Sequence, residues 1–340
     1  MDYPLFFLLK KSHDSRNFHT IVIKIRVLIF FFGGILMRNI NPVTTIISNV
    51  GDDTLSIINL ISLREVGKIF LKNSFGPHHM VGDISNKYLY ISNCYNSSVC
   101  KYDMILDMVI DTVYVGSNPC HLALNKKSNL LYIANEDSNS ISVVDAKKMS
   151  LQAQIPVGEM PHDVKLSSDG SYLFICNFRT NTLSVINTLT NEREKNIYVN
   201  SNPYHMCLSR DGEKLYIVNT NYSSLRKGSV TILNTRQLKV EEKIEIGKTP
   251  MDAACGLNEK YLYITDMELD TVSILDLKEK RIVDSINVGK MPLSIEIDSQ
   301  DKYIISSNIG DNSVSIIDLK RFYLIKNIKV GKEPTGILCI

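Results

Sequence analysis

The sequence predicts an all-β chain, a seven-bladed β-propeller whose ring closes when the C-terminal strand completes the first blade. Three observations predict it. A repeat of about 42 residues is counted seven times by three separate markers. Apolar residues alternate with period two and no ten-residue stretch has helical spacing. The first and last units are each other's missing parts.

The first marker is a proline, in five of the seven units that of a Gly-x-x-Pro turn, at Pro77, Pro119, Pro161, Pro203, Pro250, Pro292 and Pro334, in steps of 42, 42, 42, 47, 42 and 42. The second is the Asn or Asp that ends an aromatic-rich strand: Asn49, Asn93, Asn135, Asn177, Asn219, Asp266 and Asn308. The third ends the following strand, at Asn59, Asp103, Asp145, Asn187, Asn234, Asp276 and Asp318.

Within a unit, the proline opens a short strand with apolar residues at every second position, such as Leu122 and Leu124. A polar turn, often Asp-Gly (Asp169-Gly170, Asp211-Gly212), leads to an aromatic-rich strand, a short loop to a β-branched strand, and a fourth strand ends in Val-Gly. Four strands in 40–45 residues is the dimension of a propeller blade. Tyr90, Tyr132, Phe174, Tyr216 and Tyr263 occupy one strand position in five units and are expected in the core. The Asn49-to-Asn308 series is expected to bond its own turn backbone.

The first unit lacks its proline strand and begins at Thr44–Asn49, whereas the last is that strand alone, Pro334–Ile340. Joined, they make one blade and leave no exposed sheet edge.

At Leu131–Asp145 (LYIANEDSNSISVVD), LYITDMELDTVSILD and LFICNFRTNTLSVIN, the chain resembles the YVTN-type β-propeller repeat family, over nearly all of residues 43–340. That resemblance implies surface-layer, lactonase-like, haem d1-binding and amine dehydrogenase propellers as relatives, and is poor on activity. With no Trp, and no Gly-Gly pair in the blades, WD40 and kelch patterns are disfavoured.

Residues 1–36 do not fit the repeat, and 37–340 form the single propeller domain. The segment is basic and ends in an apolar run of eleven, Val27–Met37, too short to span a bilayer. No small-x-small cleavage site follows it. Translation is expected to start at Met37. The alternative is a genuine export signal or membrane anchor, and a membrane partner is expected only in that case.

Residues 1–36 hold five basic and two acidic side chains, which leaves 33 basic against 34 acidic in the remainder. A near-neutral propeller lacks the electrostatic footprint of a nucleic-acid binder. Seven cysteines fall at no framework spacing, and Cys176, Cys207, Cys255 and Cys339 sit inside apolar strands as small hydrophobes. Cys94 and Cys100 flank one hairpin and could pair. An odd count of mostly strand-interior thiols suits a reducing, cytoplasmic compartment.

Histidine is the constellation with chemistry. His78, His79, His121, His162 and His205 all fall one or two residues after the repeat proline, with Asp163 and Asp252 at the second position. The first strand of a blade is innermost, so these side chains should gather near one mouth of the central channel. Imidazoles from several blades can ligate a transition metal, with the carboxylates as ligands or supports. They can equally be inherited turn residues, since a duplicated Pro-x-His unit keeps histidines in register whatever their role.

The loop between second and third strands opens on the same face. Only in blade 5 is it long, Thr220–Gly228, which brings Tyr222, Arg226 and Lys227 to the rim beside Phe178 and Arg179 of blade 4. These five are the candidate partner-binding residues.

No phosphate loop, Cys-x-x-Cys, His-Glu-x-x-His, Gly-x-Ser-x-Gly or Cys-x-x-Cys-His motif is present, so no catalytic residue is assigned. The sequence therefore reads as a non-enzymatic propeller that binds a protein or small-molecule ligand at the histidine-rich face and blade-5 loop. The alternative is an enzyme or a metal- or cofactor-binding propeller of lactonase-like or haem d1-like kind.

Overall fold

A computed structural model describes residues 44–71, 75–222, 227–256 and 259–340. Segment 1–36, with the expectations placed on it, and Arg226 lie outside the described residues. Among those residues are seven four-stranded antiparallel sheets and no helix. None of them therefore forms a helix long and apolar enough to cross a membrane.

Blade 4 shows the pattern. Its strands run Pro161–Leu166, Tyr172–Asn177, Thr182–Asn187 and Glu192–Tyr198, each paired with the next in sequence. The two middle strands are buried on both faces, whereas the fourth is mostly exposed and closes the blade with lysine, glutamate and arginine, the charges that keep an edge from pairing.

Ring closure is as expected from the ends of the repeat. Pro334–Cys339 pairs antiparallel with Thr44–Asn49, placing Leu338 opposite Ile46. The innermost strands then pack in a cycle: Pro77–Gly82 on Pro119–Asn125, and so on through Pro292–Ile297 to Pro334–Cys339, which returns to Pro77–Gly82.

The core lies between blades. Phe174 of blade 4 is fully buried with Met206, Leu215 and Ile217 of blade 5, and Tyr132 of blade 3 packs with Val164 and Leu173 of blade 4. The tyrosines also reach across: the Tyr90 hydroxyl donates to the Ala146 carbonyl at 3.0 Å. Truncating such a ring to alanine costs about 3–5 kcal/mol.

The two Asn/Asp series divide their work differently from the expectation. The Asp145 series holds its own turn: Asp145 Oδ1 accepts N–H groups from Lys147 and Lys148, both at 2.9 Å. In the Asn49-to-Asn308 series Asp266 does accept from its own turn, the Leu269 N–H at 3.2 Å, and Asn219 accepts the Thr231 hydroxyl, but Asn49, Asn93, Asn135, Asn177 and Asn308 instead donate across the hairpin. Asn177 Nδ2 reaches Thr182 Oγ1 at 3.1 Å and Ser184 Oγ at 2.9 Å, and Asn135 and Asn308 make the same kind of bonds. Hydroxyls at two alternate positions of the facing strand offer the amide a pair of acceptors, one for each of its two N–H groups.

This also explains the Val-Gly that ends four of the units, at Gly116, Gly158, Gly289 and Gly331. A Cβ on Gly116 would stand 2.6 Å from Asn135 Cγ, and one on Gly331 2.6 Å from Asn49 Cγ. The asparagine packs where a side chain would be.

Candidate functional site

The hub is built by an irregularity that period-two alternation conceals. In every blade one extra residue is inserted just after the proline. In blade 4, Pro161 pairs with Asn177 but Val164 pairs with Ile175, so three steps on one strand match two on the other. The same shift occurs after Pro77, Pro119, Pro203, Pro250 and Pro292. Such a bulge re-aims side chains. Here it lets the first and second residues after each proline both serve the hub, where plain alternation would send them to opposite faces.

All five histidines converge. His79 stacks on His121 with ring centroids 4.2 Å apart, His121 lies 4.5 Å from His205, and His162 lies 5.0 Å from His205. His121, His162 and His205 are buried, and His78 and His79 are half-buried. The cluster thus fills the hub instead of fringing an open mouth. Burial drives the pKa of His79, His121 and His162 well below the ordinary imidazole value, and that of His78 down to about 4. All four are neutral at pH 7.

The Nδ1 atoms of all five rings, and Nε2 of His205, are buried without a hydrogen bond of ordinary geometry. Two have a carboxylate alongside. Asp163 Oδ1 lies 3.1 Å from His121 Nδ1, and Asp252 Oδ2 lies 3.2 Å from His205 Nδ1, both too far off the ring N–H axis to be conventional bonds. The carboxylates are tied to backbone: Asp163 accepts N–H groups from Val164 (2.8 Å) and from Met206 of the next blade (2.9 Å). Asp252 does the same with Ala253 (2.8 Å) and Ile295 (3.1 Å).

Two trios of ligand atoms lie within 4.8 Å of one another: His121, His162 and His205, and His78, Cys120 and His162. Asp163 and Asp252 belong to neither. His79 stands outside both.

Three residues here escaped sequence reasoning. Lys165 and Glu296 stand at the fourth position after the proline, where the other blades carry Val81, Ala123, Cys207, Ala254 and Leu338. A charge in an apolar register was the signal that would have found them. Burial disfavours the Lys165 charge, but Asp163, Glu296 and Asp252 outweigh it and hold its pKa above the ordinary lysine value. Burial raises Glu296 to about 7, against the pull of Lys165. The third is Cys120, whose thiol donates to Glu136 Oε2 at 3.0 Å; all seven cysteines are free, Cys94 and Cys100 included.

Hydroxyl groups also join neighbouring blades. Ser48, Thr265 and Ser307 each bond a carbonyl of the next blade's inner strand, at 2.7, 2.8 and 3.0 Å. Ser92 of blade 2 does the same to the Cys120 carbonyl, whereas in blades 3 and 5 the equivalent residues, Ala134 and Val218, have no side-chain donor.

The rim candidates of blades 4 and 5 meet this cluster. Phe178 lies 6.3 Å from Tyr222 and 6.0 Å from Tyr204, and Tyr204 stacks on His162 at 4.0 Å and on His205 at 4.7 Å. A run of aromatic rings connects the exposed Tyr222 to the buried imidazoles. Arg179 and Lys227 are exposed beside it.

Comparison with known proteins agrees with this architecture. The family model described as "Lactonase, 7-bladed beta-propeller" matches residues 44–195. No curated protein matches the chain significantly. Among solved structures, hydrazine synthase of Kuenenia stuttgartiensis superimposes with a TM-score of 0.71 at 22% identity, over 78% of this chain and 90% of that one. A putative 6-phosphogluconolactonase from Bacteroides fragilis gives 0.73 at 18%, covering 87% and 98%. The dihydro-haem d1 dehydrogenase NirN, solved in complex with DHE, gives 0.65 at 15%, covering 88% and 75%. The chain is a seven-bladed β-propeller resembling lactonase-like and haem d1-type propellers, as its repeat implies. At these identities the likeness to solved structures establishes the fold alone.

Proposed function

We propose that this protein is a metal-binding propeller whose hub holds a divalent transition metal through His121, His162 and His205. The observation that carries this reading is the set of three buried imidazoles with ligand atoms within 4.8 Å and with ring nitrogens that have no hydrogen bond. Unpartnered buried nitrogens are costly, and a metal ion would satisfy several at once.

Two further features support it. Asp163 and Asp252 beside Nδ1 would favour a proton there on His121 and His205, leaving Nε2 free as the ligand atom, the carboxylate–histidine–metal arrangement. The composition of the hub points the same way: three carboxyl groups, Asp163, Asp252 and Glu296, stand there with one lysine, Lys165, a surplus of acidic side chains that a dication would balance. Imidazole ligands select zinc, copper or nickel over magnesium or calcium.

Three protein ligands leave a coordination position open, which suits Lewis-acid chemistry. The match to the lactonase family over residues 44–195 favours, as a second reading, metal-assisted opening of a small lactone that enters past Tyr222, Phe178 and Tyr204.

The test is metal analysis and thermal melting of residues 37–340 with Zn²⁺, Cu²⁺ or Ni²⁺ against EDTA. A ligand at 100 times its Kd stabilises the folded state by about 2.7 kcal/mol. The wild type should be stabilised and a His121→Ala/His205→Ala double variant should not. Equal behaviour of the two proteins would leave the histidines as inherited turn residues.

A further inference from the structure

We propose that the hub carries a second metal position containing sulfur, formed by His78, Cys120 and His162 and lying beside the first. This rests on the metal-binding reading above and adds a ligand type to it. The three residues are the first after the proline in blades 2, 3 and 4, so the bulge that builds the nitrogen site builds this one too. Their ligand atoms lie within 4.8 Å of one another.

His162 is 3% exposed and its Nδ1 is unpartnered, as is Nδ1 of His78. Cys120, 2% exposed, is the only sulfur of either trio. His162 belongs to both trios, so the two positions are adjacent and share one ring. A thiolate with imidazoles is a soft donor set, which selects Zn²⁺ or Cu(I) over harder ions. Coordination replaces the Cys120 S–H bond by a sulfur–metal bond, and with both positions filled His162 bridges them through its two ring nitrogens as an imidazolate; the thiol proton and the ring N–H proton both leave to solvent.

The experiment is a titration of metal-free protein with Co²⁺, read by absorption. The wild type should bind two ions and develop a thiolate-to-cobalt charge-transfer band in the near ultraviolet. Cys120→Ser and Cys120→Ala should each bind one ion and lose that band, with melting in EDTA confirming that both remain folded. His121→Ala/His205→Ala should keep the band and lose the other ion. A single ion without the band overturns the second position and leaves the first intact, as does a band that survives in both Cys120 variants. Binding of no ion at all overturns both.

Discussion

Asp163 Oδ1 lies 3.1 Å from Nδ1 of His121, and the partner oxygen of the same carboxylate accepts the Met206 N–H of the following blade at 2.9 Å. One side chain therefore ties two blades together and faces the imidazole of a third. Replacing it separates the two roles. Asp163→Asn keeps an acceptor for Met206 but removes the negative charge behind His121. Zn²⁺ affinity, measured by chelator competition, should fall about 10–100-fold, the usual cost of losing an outer-shell carboxylate. Melting in EDTA should change much less than in Asp163→Ala, and equal Zn²⁺ affinities for Asn and Asp would remove Asp163 from the site.

Acid should destabilise the metal-free protein before ordinary carboxylates titrate. His78 titrates near 6.5 unfolded and near 4 folded, and His79, His121 and His162 are shifted in the same direction. Depressed basic groups take up protons first in the unfolded chain, so stability is complete above pH 6.5 and is lost as pH falls toward 4. At about 1.4 kcal/mol per pKa unit, His78 alone contributes about 3 kcal/mol of that loss. Denaturant melts in EDTA from pH 8 to pH 5 should show it, and a flat profile would contradict the burial of the cluster.

Glu296 works with the opposite sign. Its pKa is about 4.5 unfolded and about 7 folded, so the folded state holds the proton longer and stability falls as pH rises between those values. The stability difference between Glu296→Gln and wild type should therefore be more favourable to the variant at pH 8 than at pH 5. In the variant, the acid-side loss caused by the histidines should steepen because its counterweight is gone. The check is the same series of melts, and a difference independent of pH would place Glu296 in water.

The Val-Gly signature predicts a contrast between two glycines. A Cβ on Gly289 would stand 2.7 Å from Asn308 Cγ and 2.8 Å from Ser313 Oγ, so Gly289→Ala should cost about 1–3 kcal/mol. At Gly67 the nearest atom is 3.5 Å away, and Gly67→Ala should be neutral or stabilising by up to about 1 kcal/mol. Urea melts of the two variants would distinguish them.

Closure predicts that the chain ending at Glu333 loses more than seven residues' worth of contacts. Removing Pro334–Ile340 exposes the edge of Thr44–Asn49 and strips the cover from Ile47, which is buried with Ile337. Size-exclusion chromatography should show association or aggregation of the truncated form, with a broadened melt. A monomer that melts as sharply as the full chain would mean the ring does not depend on that strand.

The blade count, strand order and closure were legible because each repeat reuses the same local chemistry. Proline opens the inner strand, an Asx turn follows the third, and Val-Gly ends the fourth in four of the seven blades. The histidines were legible as a constellation because they share one register after the proline. The double use of adjacent positions was not, since a bulge is set by how the inner strand pairs with its neighbour and leaves no residue signature at Pro161–Val164. The amides of Asn49, Asn93, Asn135, Asn177 and Asn308 depart from their expected turn bonds for a related reason: their hydroxyl partners come from the facing strand, through pairing register.

What the sequence by itself determined is the ring, because seven copies of one unit, split between the two ends of the chain, have one way to bury every inner edge. What only the tertiary structure decided is the composition of the hub. Lys165 of blade 4 and Glu296 of blade 7 are far apart in the chain, and Cys120 gains meaning only beside His78 and His162. Converging side chains from separate blades meet through ring geometry, and their burial, which fixes their charge, exists only once all seven blades are in place.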